Sequence, residues 1–252
     1  MGSFSFKQFT IEQKRSAMKV NTDGVLLPAW VSLPESSDSS KIFHVLDIGT
    51  GTGVISLIVA QRLYLRVPFR ITAIDIDSDS ANEAARNFSA SPWREYLHSR
   101  EISLQAYSKE SITSKYSLII SNPPFFTGSL KAPSLKRTDA RHNDTLPFRD
   151  ILEAAQKMLE DDGIVAVVLP VDEGERFIFE AAQHGFKPVR RCKVKTLANK
   201  KEKRYLLEFK KDTGTDKLFK EELIVIQESA GERYTEHYCN LVGEIYLKDF
   251  KR

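Results

Sequence analysis

The sequence predicts a doubly wound α/β fold on a mostly parallel sheet, and three observations predict it. Four apolar runs, IFHVLDI (42–48), FRITAIDI (69–76), YSLIIS (116–121) and GIVAVVLP (163–170), are rich in Ile, Val, Leu or Phe and alternate little. That is the pattern of strands covered on both faces. Helical patterns fall between these runs, which favours parallel crossovers over hairpins. The first run ends in a glycine-rich turn that opens the next helix, the usual entry to a ligand site at the carboxyl edge of such a sheet.

Taken in order, PESSDSS (34–40) reads as a solvated loop that sets an N-terminal segment apart from the first strand. VISLIVAQRLY gives the helix after the first strand, and SDSANEAARNFSA the helix after the second, capped by Asp77. A weaker third strand is expected at EISLQAY (101–107). LPFRDILEAAQKMLED is a helix with Pro147 in its first turn, and another helix is expected over 172–184. VRRCKVKTL and KRYLLEFKK have the period of an antiparallel hairpin around a basic turn. ELIVIQE (222–228) is one further strand, and YTEHYCNLVGEIYL is helix-like with a tyrosine stripe. The chain is expected to be one domain: an N-terminal segment over 1–40, a core over 41–211 and a strand-and-helix extension over 212–252.

The chain has 252 residues, 41% hydrophobic and 28% charged, an ordinary globular composition. Its 37 Lys+Arg against 34 Asp+Glu leave a net charge of +3, which excludes a polybasic tail protein. Cys192 and Cys239 are too few for a disulfide scaffold and match no metal-ligand spacing, so buried thiols, a reducing compartment and no metal are expected. No apolar run reaches the roughly 18 residues a membrane span needs, and MGSFSFKQFT lacks the features of a signal peptide. A cytoplasmic protein without membrane partners is the expectation.

The glycine turn reads Asp47-Ile48-Gly49-Thr50-Gly51-Thr52-Gly53. A dinucleotide fingerprint would need glycine where Val54 stands, and Asp47 suits a cationic amino-acid moiety better than a pyrophosphate. Twenty-two residues beyond Gly53, the second strand ends at Asp75, where a carboxylate can accept both hydroxyls of a ribose. Together Asp47, GTGTG and Asp75 resemble the S-adenosylmethionine (SAM) site of the Rossmann-like class I methyltransferases, which implies a seven-stranded sheet with an antiparallel C-terminal hairpin. A glycine turn alone can be only a turn, and Asp77 is better placed as a helix cap.

The fourth run leads directly into Asn122-Pro123-Pro124-Phe125-Phe126. In a sheet of order 3-2-1-4-5 this motif lies beside the glycine turn, at the topological switch point. An amino group conjugated to an aromatic ring is a poor nucleophile, so it must be aligned and its N–H groups given acceptors. The side-chain carbonyl of Asn122 and the backbone carbonyl of Pro123 are those acceptors, Pro123 and Pro124 fix the turn, and Phe125 offers a face for an extruded base. No general base or metal is required. Asn-Pro-Pro could also be a plain strand-ending turn.

The N-terminal FKQFTIEQKRSAMKVNTDGVLLPAW (6–30), the glycine turn, NFSASPW (87–93), LIISNPPFF and VVLP together resemble the bacterial tRNA1(Val) (adenine(37)-N6)-methyltransferases over nearly the whole chain. The resemblance implies SAM-dependent methylation of the N6 of an adenine in tRNA. It carries the cofactor site onto Asp47, Gly49, Thr50, Gly51, Gly53 and Asp75 and the catalytic motif onto Asn122 to Phe125, and it puts Lys19 to Gly24 over the cofactor, with Thr22 and Asp23 as polar contacts. Two departures stand out. Tyr107-Ser108 replaces an acidic residue after the third strand, which shifts that adenine contact to Ser108, and Phe125 replaces the commoner tyrosine.

From Lys187 to Lys211, eleven Lys/Arg face two acids, a local charge of +9 in a chain of +3. The strand residues Arg190, Arg191, Lys193 and Lys195 are candidates to track a phosphate backbone, and Lys131, Lys136, Arg137 and Arg141 in the loop after Phe126 are candidates to clamp nucleotides beside the target. The plainer alternative is a solvated lysine-rich edge. His142 reads as a surface or substrate contact, Trp30 and Trp93 as core anchors, and Tyr234, Tyr238 and Tyr246 as packing. Other conjugated amines, namely guanine N2 in rRNA, adenine in DNA or a protein glutamine, suit the Asn-Pro-Pro motif equally. A noncatalytic RNA-binding protein and an NAD-dependent dehydrogenase are the alternatives from other classes.

Overall fold

Buried apolar runs become the centre of one twisted sheet. The computed structural model describes residues 2–16, 18–34, 41–110, 114–124, 146–214, 218–231 and 233–247. The chain opens with a short antiparallel ribbon, β1 (Ser3–Ser5) and β2 (Thr10–Glu12), then helix α1 (Thr22–Trp30). Strand β3 (Phe43–Ile48) feeds helix α2 (Val54–Leu63), and β4 (Phe69–Asp75) feeds α3 (Ser78–Ser89). Then come β5 (Leu97–Glu101), the short helix α4 (Leu104–Tyr107), β6 (Tyr116–Ser121), α5 (Phe148–Met158), β7 (Leu159–Pro170) and α6 (Val171–Gln183). The chain continues through β8 (Phe186–Leu197), β9 (Arg204–Lys211), β10 (Lys220–Gln227) and α7 (Glu236–Val242).

The sheet order is β10-β8-β9-β7-β6-β3-β4-β5, with β5, β4, β3, β6 and β7 mutually parallel. Its central part is therefore the expected 3-2-1-4-5. Strand β9 is antiparallel to both β7 and β8, and β10 pairs parallel with β8 at the edge, making eight strands against the seven expected. The added strand follows from the C-terminal extension, which covers the free edge of β8.

Successive residues of each central strand enter different cores. Val45, Ile71, Leu118 and Ala166 pack with α1, α2 and α3, whereas Leu46, Ile74, Ile119 and Val165 pack with α4, α5 and α6. Helix α2 is buried nearly all round because α1 covers the side that would otherwise face water. Arg62 is enclosed there, donating from Nη1 to the carbonyls of Pro28 (2.6 Å) and Val31 (2.9 Å) at the end of α1. Trp30 and Trp93 are core residues as expected; Cys192 is buried and Cys239 only partly so.

The third strand departs from the sequence expectation. It is LHSRE (97–101), not residues 101–107, and Leu104 to Tyr107 form α4, with the Ser103 hydroxyl accepting from the Ala106 N–H at 3.1 Å. Leu104 and Tyr107 are both buried, at a helical spacing of three, whereas β5 is an edge strand with only Leu97 fully covered. Its polar composition hid it.

Candidate functional site

The site grows from the carboxyl ends of β3, β4 and β6. Gly49 (φ +70°), Gly51 (φ +56°) and Gly53 (φ +81°) all adopt left-handed conformations that side chains disfavour. The N–H groups of Gly49 and Thr50 both donate to the Ile74 carbonyl, at 2.9 and 3.1 Å, which draws the turn across the end of β4. At Gly53 a Cβ would lie 2.5 Å from the Phe88 ring, so α3 presses directly on the turn. At Gly49 a Cβ would meet nothing within 4 Å, which leaves an open cradle against the backbone.

Asp47 is fully buried beneath this cradle. Its Oδ2 accepts from the hydroxyls of Thr50 and Ser56, both at 2.7 Å, while Oδ1 is buried with no partner. Burial raises its carboxyl to about 6, even though those two hydroxyls pull the other way. Asp75 accepts from the Gly51 N–H (2.9 Å) and the Asp77 N–H (3.0 Å), and burial raises its carboxyl above the ordinary value despite both bonds. Asp77 caps α3 through the Ser80 N–H at 2.8 Å, as expected.

Across the switch point, Ser121 is in register with Ile48 and donates to its carbonyl at 2.8 Å. This fixes Asn122 beside the glycine turn. Asn122 and Pro123 are buried. The Asn122 Nδ2 lies 3.6 Å from the Met18 sulfur, and its Oδ1 is a second buried acceptor without a partner. Phe125, Lys131, Lys136, Arg137, Arg141 and His142 lie outside the described residues.

Two side chains that the sequence reading did not single out hold the roof. Glu83 and Asn87, one turn apart on α3, are both buried. Glu83 accepts the N–H groups of Lys14 and Arg15 at Oε2 (2.8 Å each) and of Ser16 at Oε1 (3.1 Å). Asn87 pairs with both backbone groups of Glu12 (2.8 and 2.9 Å) and donates to the Thr52 carbonyl of the glycine turn (2.8 Å). Residues 12–16 and 18–20 thereby form a strap over the turn, and Lys19 Nζ closes it on the Ser16 carbonyl at 3.0 Å. The available signal was a pair of polar residues at a four-residue spacing on the apolar face that also carries Ala84 and Phe88.

Thr22, Asp23 and Ser108 have surroundings of their own within the protein. In the N-terminal KV-TDG segment, Asp23 accepts from Arg204 Nε at 2.7 Å, and Thr22 and Asp23 line a groove with Phe4, Tyr234 and Tyr246. Ser108 is the C-terminal cap of α4, its hydroxyl donating to the Gln105 carbonyl at 3.1 Å. Because β5 ends at Glu101, the residues following the third strand are Ile102 and Ser103, not Ser108.

The four strand cations all have acidic partners. Arg190 shares a face with Cys192 and Val194, lies 4.1 Å over the Trp30 ring and donates to Trp30 O (3.0 Å), Ser32 Oγ (3.1 Å) and Glu222 (2.9 Å). Arg191 pairs with Glu221 and with Glu175 (3.2 Å), Lys193 with Glu221 (2.7 Å) and Lys195 with Glu202 (3.4 Å). Acids from α6, β10 and the turn before β9 compensate them, which a count over Lys187 to Lys211 could not reveal.

An open glycine cradle, a buried carboxylate with one unpaired oxygen at Asp47 and a second carboxylate at the end of β4, Asp75, fit SAM. Fold and site define a class I SAM-dependent methyltransferase. The Methyltransferase small domain family matches residues 32–191. The chain is 39% identical over 97% of its length to the tRNA1(Val) (adenine(37)-N6)-methyltransferase of Bacteroides fragilis strain YCH46, of which it covers 98%. It is 40% identical to the enzyme of the same name from Phocaeicola vulgatus, with 97% of each chain covered. In fold it resembles a predicted O-methyltransferase of Agrobacterium tumefaciens, with a TM-score of 0.63, 16% identity and coverage of 88% of this chain and 96% of that one. The chain belongs to the tRNA1(Val) (adenine(37)-N6)-methyltransferase family.

Proposed function

We propose that this protein methylates N6 of adenine 37 in a valine tRNA. The observation that carries the reading is the pair of buried, unpartnered acceptors, Asp47 Oδ1 and Asn122 Oδ1, on either side of the open glycine cradle. Unpaired buried acceptors are costly, so each marks a place where a ligand donor belongs. When bound, SAM supplies a methyl group on a sulfonium centre. Asp47 meets the ammonium end of the amino-acid moiety and Asp75 the ribose hydroxyls. Thr22, Asp23 and Ser108 are set aside as cofactor contacts, and Ser103 is the residue proposed for the adenine side.

Asn122 holds the target amine. Nδ2 is directed at Met18, which leaves Oδ1 to accept from the substrate amine, and the Pro123 carbonyl would be the second acceptor. As N6 forms its bond to the methyl carbon, the carbon–sulfur bond would break to leave a neutral thioether, and N6 would gain positive charge and become acidic, a charge that the two carbonyl dipoles would stabilise. The proton then leaves to water. Phe125 follows in the chain to stack the extruded base. No helix among the described residues is long and apolar enough to cross a membrane, and a tRNA substrate assigns the enzyme to the cytoplasm.

The test is SAM-dependent labelling of total tRNA from a strain lacking the enzyme, with the modified nucleotide mapped. N6-methyladenosine at position 37 is expected; label in rRNA or protein instead overturns the reading. Asn122→Ala is expected to keep SAM affinity and lose roughly a hundredfold or more in turnover, the scale of removing one preorganised dipole.

A further inference from the structure

Three uncompensated cations that share one turn point to a second RNA contact. Lys200, Lys201 and Lys203, in the exposed turn between β8 and β9, have no carboxylate within 4 Å among the described residues, unlike Arg190, Arg191, Lys193 and Lys195. This turn sits at the same sheet edge as Asn122. Arg204 pairs with Pro170, the last residue of β7, and β8 and β10 run parallel to β7. Two strand spacings separate β6 from β9, about 10 Å.

Beside the turn lies a groove of about 520 Å³, within the roughly 300–1,000 Å³ of small-ligand sites. Phe4, Tyr234 and Tyr246 line it together with Thr22, Asp23, Lys203 and Arg204; Arg204 is paired with Asp23, so Lys203 is the cation of the lining without a carboxylate partner among the described residues. All three rings are half-buried and packed against the core. Tyr234 is stacked on Tyr238, centroids 5.2 Å apart at 20°, which holds its plane. Thr22 also links the groove to the active site. It is four residues beyond Met18, the contact of Asn122, hence no more than about 14 Å along the strap.

We propose that this groove binds an unpaired nucleotide of the same RNA that presents its adenine to Asn122, the base stacking on Tyr234 or Phe4 and the phosphates on Lys200, Lys201 and Lys203. The proposal rests on the RNA-methylating function above. Aromatic platforms beside uncompensated cations are the combination that single-stranded nucleic acid requires, stacking being sequence-tolerant and the cations tracking the backbone. A second copy of this chain would bring a second set of the same lysines to the rim. The groove therefore selects an anion-bearing aromatic ligand.

The test is direct binding of a fluorescein-labelled tRNA-Val transcript, with SAM affinity and thermal midpoint measured alongside. Lys203→Glu and Tyr234→Ala should each weaken RNA binding about tenfold, the scale of one stacked base, while Tyr234→Phe stays near wild type. Lys203→Glu should also lower the slope of log Kd against log salt, with SAM affinity unchanged. RNA affinity within twofold of wild type for Lys203→Glu and Tyr234→Ala overturns the proposal, as does a change in oligomeric state without a change in RNA affinity. Lys203 is on an exposed turn, so its variant reads the groove even if Tyr234→Ala fails to fold. If these variants weaken RNA binding but the wild type places no methyl group on N6, the groove stands and the proposed function fails; the reverse pattern removes the groove alone.

Discussion

Asp47 connects a fold requirement to a binding one. Its Oδ2 organises Thr50 and Ser56 at the start of α2, and its Oδ1 is left for a ligand. Burial holds the carboxyl at about 6, above its ordinary 3.8, so the ligand-free protein takes up a proton near pH 5 that the unfolded chain does not. Its contribution to folding is therefore fully present below about pH 4 and lost as pH rises through about 6. A cation beside Oδ1 stabilises the charged form and reverses the sense for binding. SAM affinity should be level above pH 6 and fall below it, approaching about tenfold per unit as one proton must be expelled. Calorimetric titration from pH 5 to 8 checks this; Asp47→Asn should bind weakly at pH 7.5 and lose part of the acid-side decline, and a flat wild-type profile would sink the assignment.

At the scale of elements, α3 decides whether the N-terminal strap exists. Among the described residues of the strap, 13–16 and 18–20, none is in a strand or helix, and Glu83 supplies acceptors to three consecutive N–H groups that have no ladder to join. Glu83→Ala leaves them orphaned, at about 1–3 kcal/mol for each that stays dry. The expected outcome is a lower thermal midpoint together with weaker SAM binding, because Ser16 and Met18 sit over Gly51 and beside Asn122; a lower midpoint with unaltered SAM affinity would show that the strap is only structural. The glycine turn, Asp75 and Asn122 were legible in sequence because each is set by strand-end geometry, which spacing records. The strap anchors were not, since Glu83 and Asn87 reach residues about 70 positions away, and nothing local marks the partner. Strand β5 was missed for a different reason: an edge strand with one fully buried residue carries little apolar signal, so the Leu104–Tyr107 helix took its place in the reading.

At the scale of the whole molecule, the +9 segment splits into cations that build the fold and cations that face outward. Arg190 belongs to the first group: it stacks on Trp30 and lies between Glu208, which is 2% exposed, and Glu222. Burial alone would raise Glu222, but the hydrogen bonds from Lys220, Trp30 and Arg190 outweigh it and hold that carboxyl at about 2. Arg190→Ala therefore removes a counter-charge from an enclosed site, and breaking a buried pair in this way costs about 3–5 kcal/mol. The exposed lysines of the turn have no such role in the interior. Urea unfolding should show a large drop in stability for Arg190→Ala and none for Lys203→Glu, while the salt dependence of tRNA binding should show the opposite order. If Arg190→Ala keeps full stability and alone flattens the salt dependence, the strand face and not the turn carries the phosphates, and the division of charge drawn from the ion pairs is wrong.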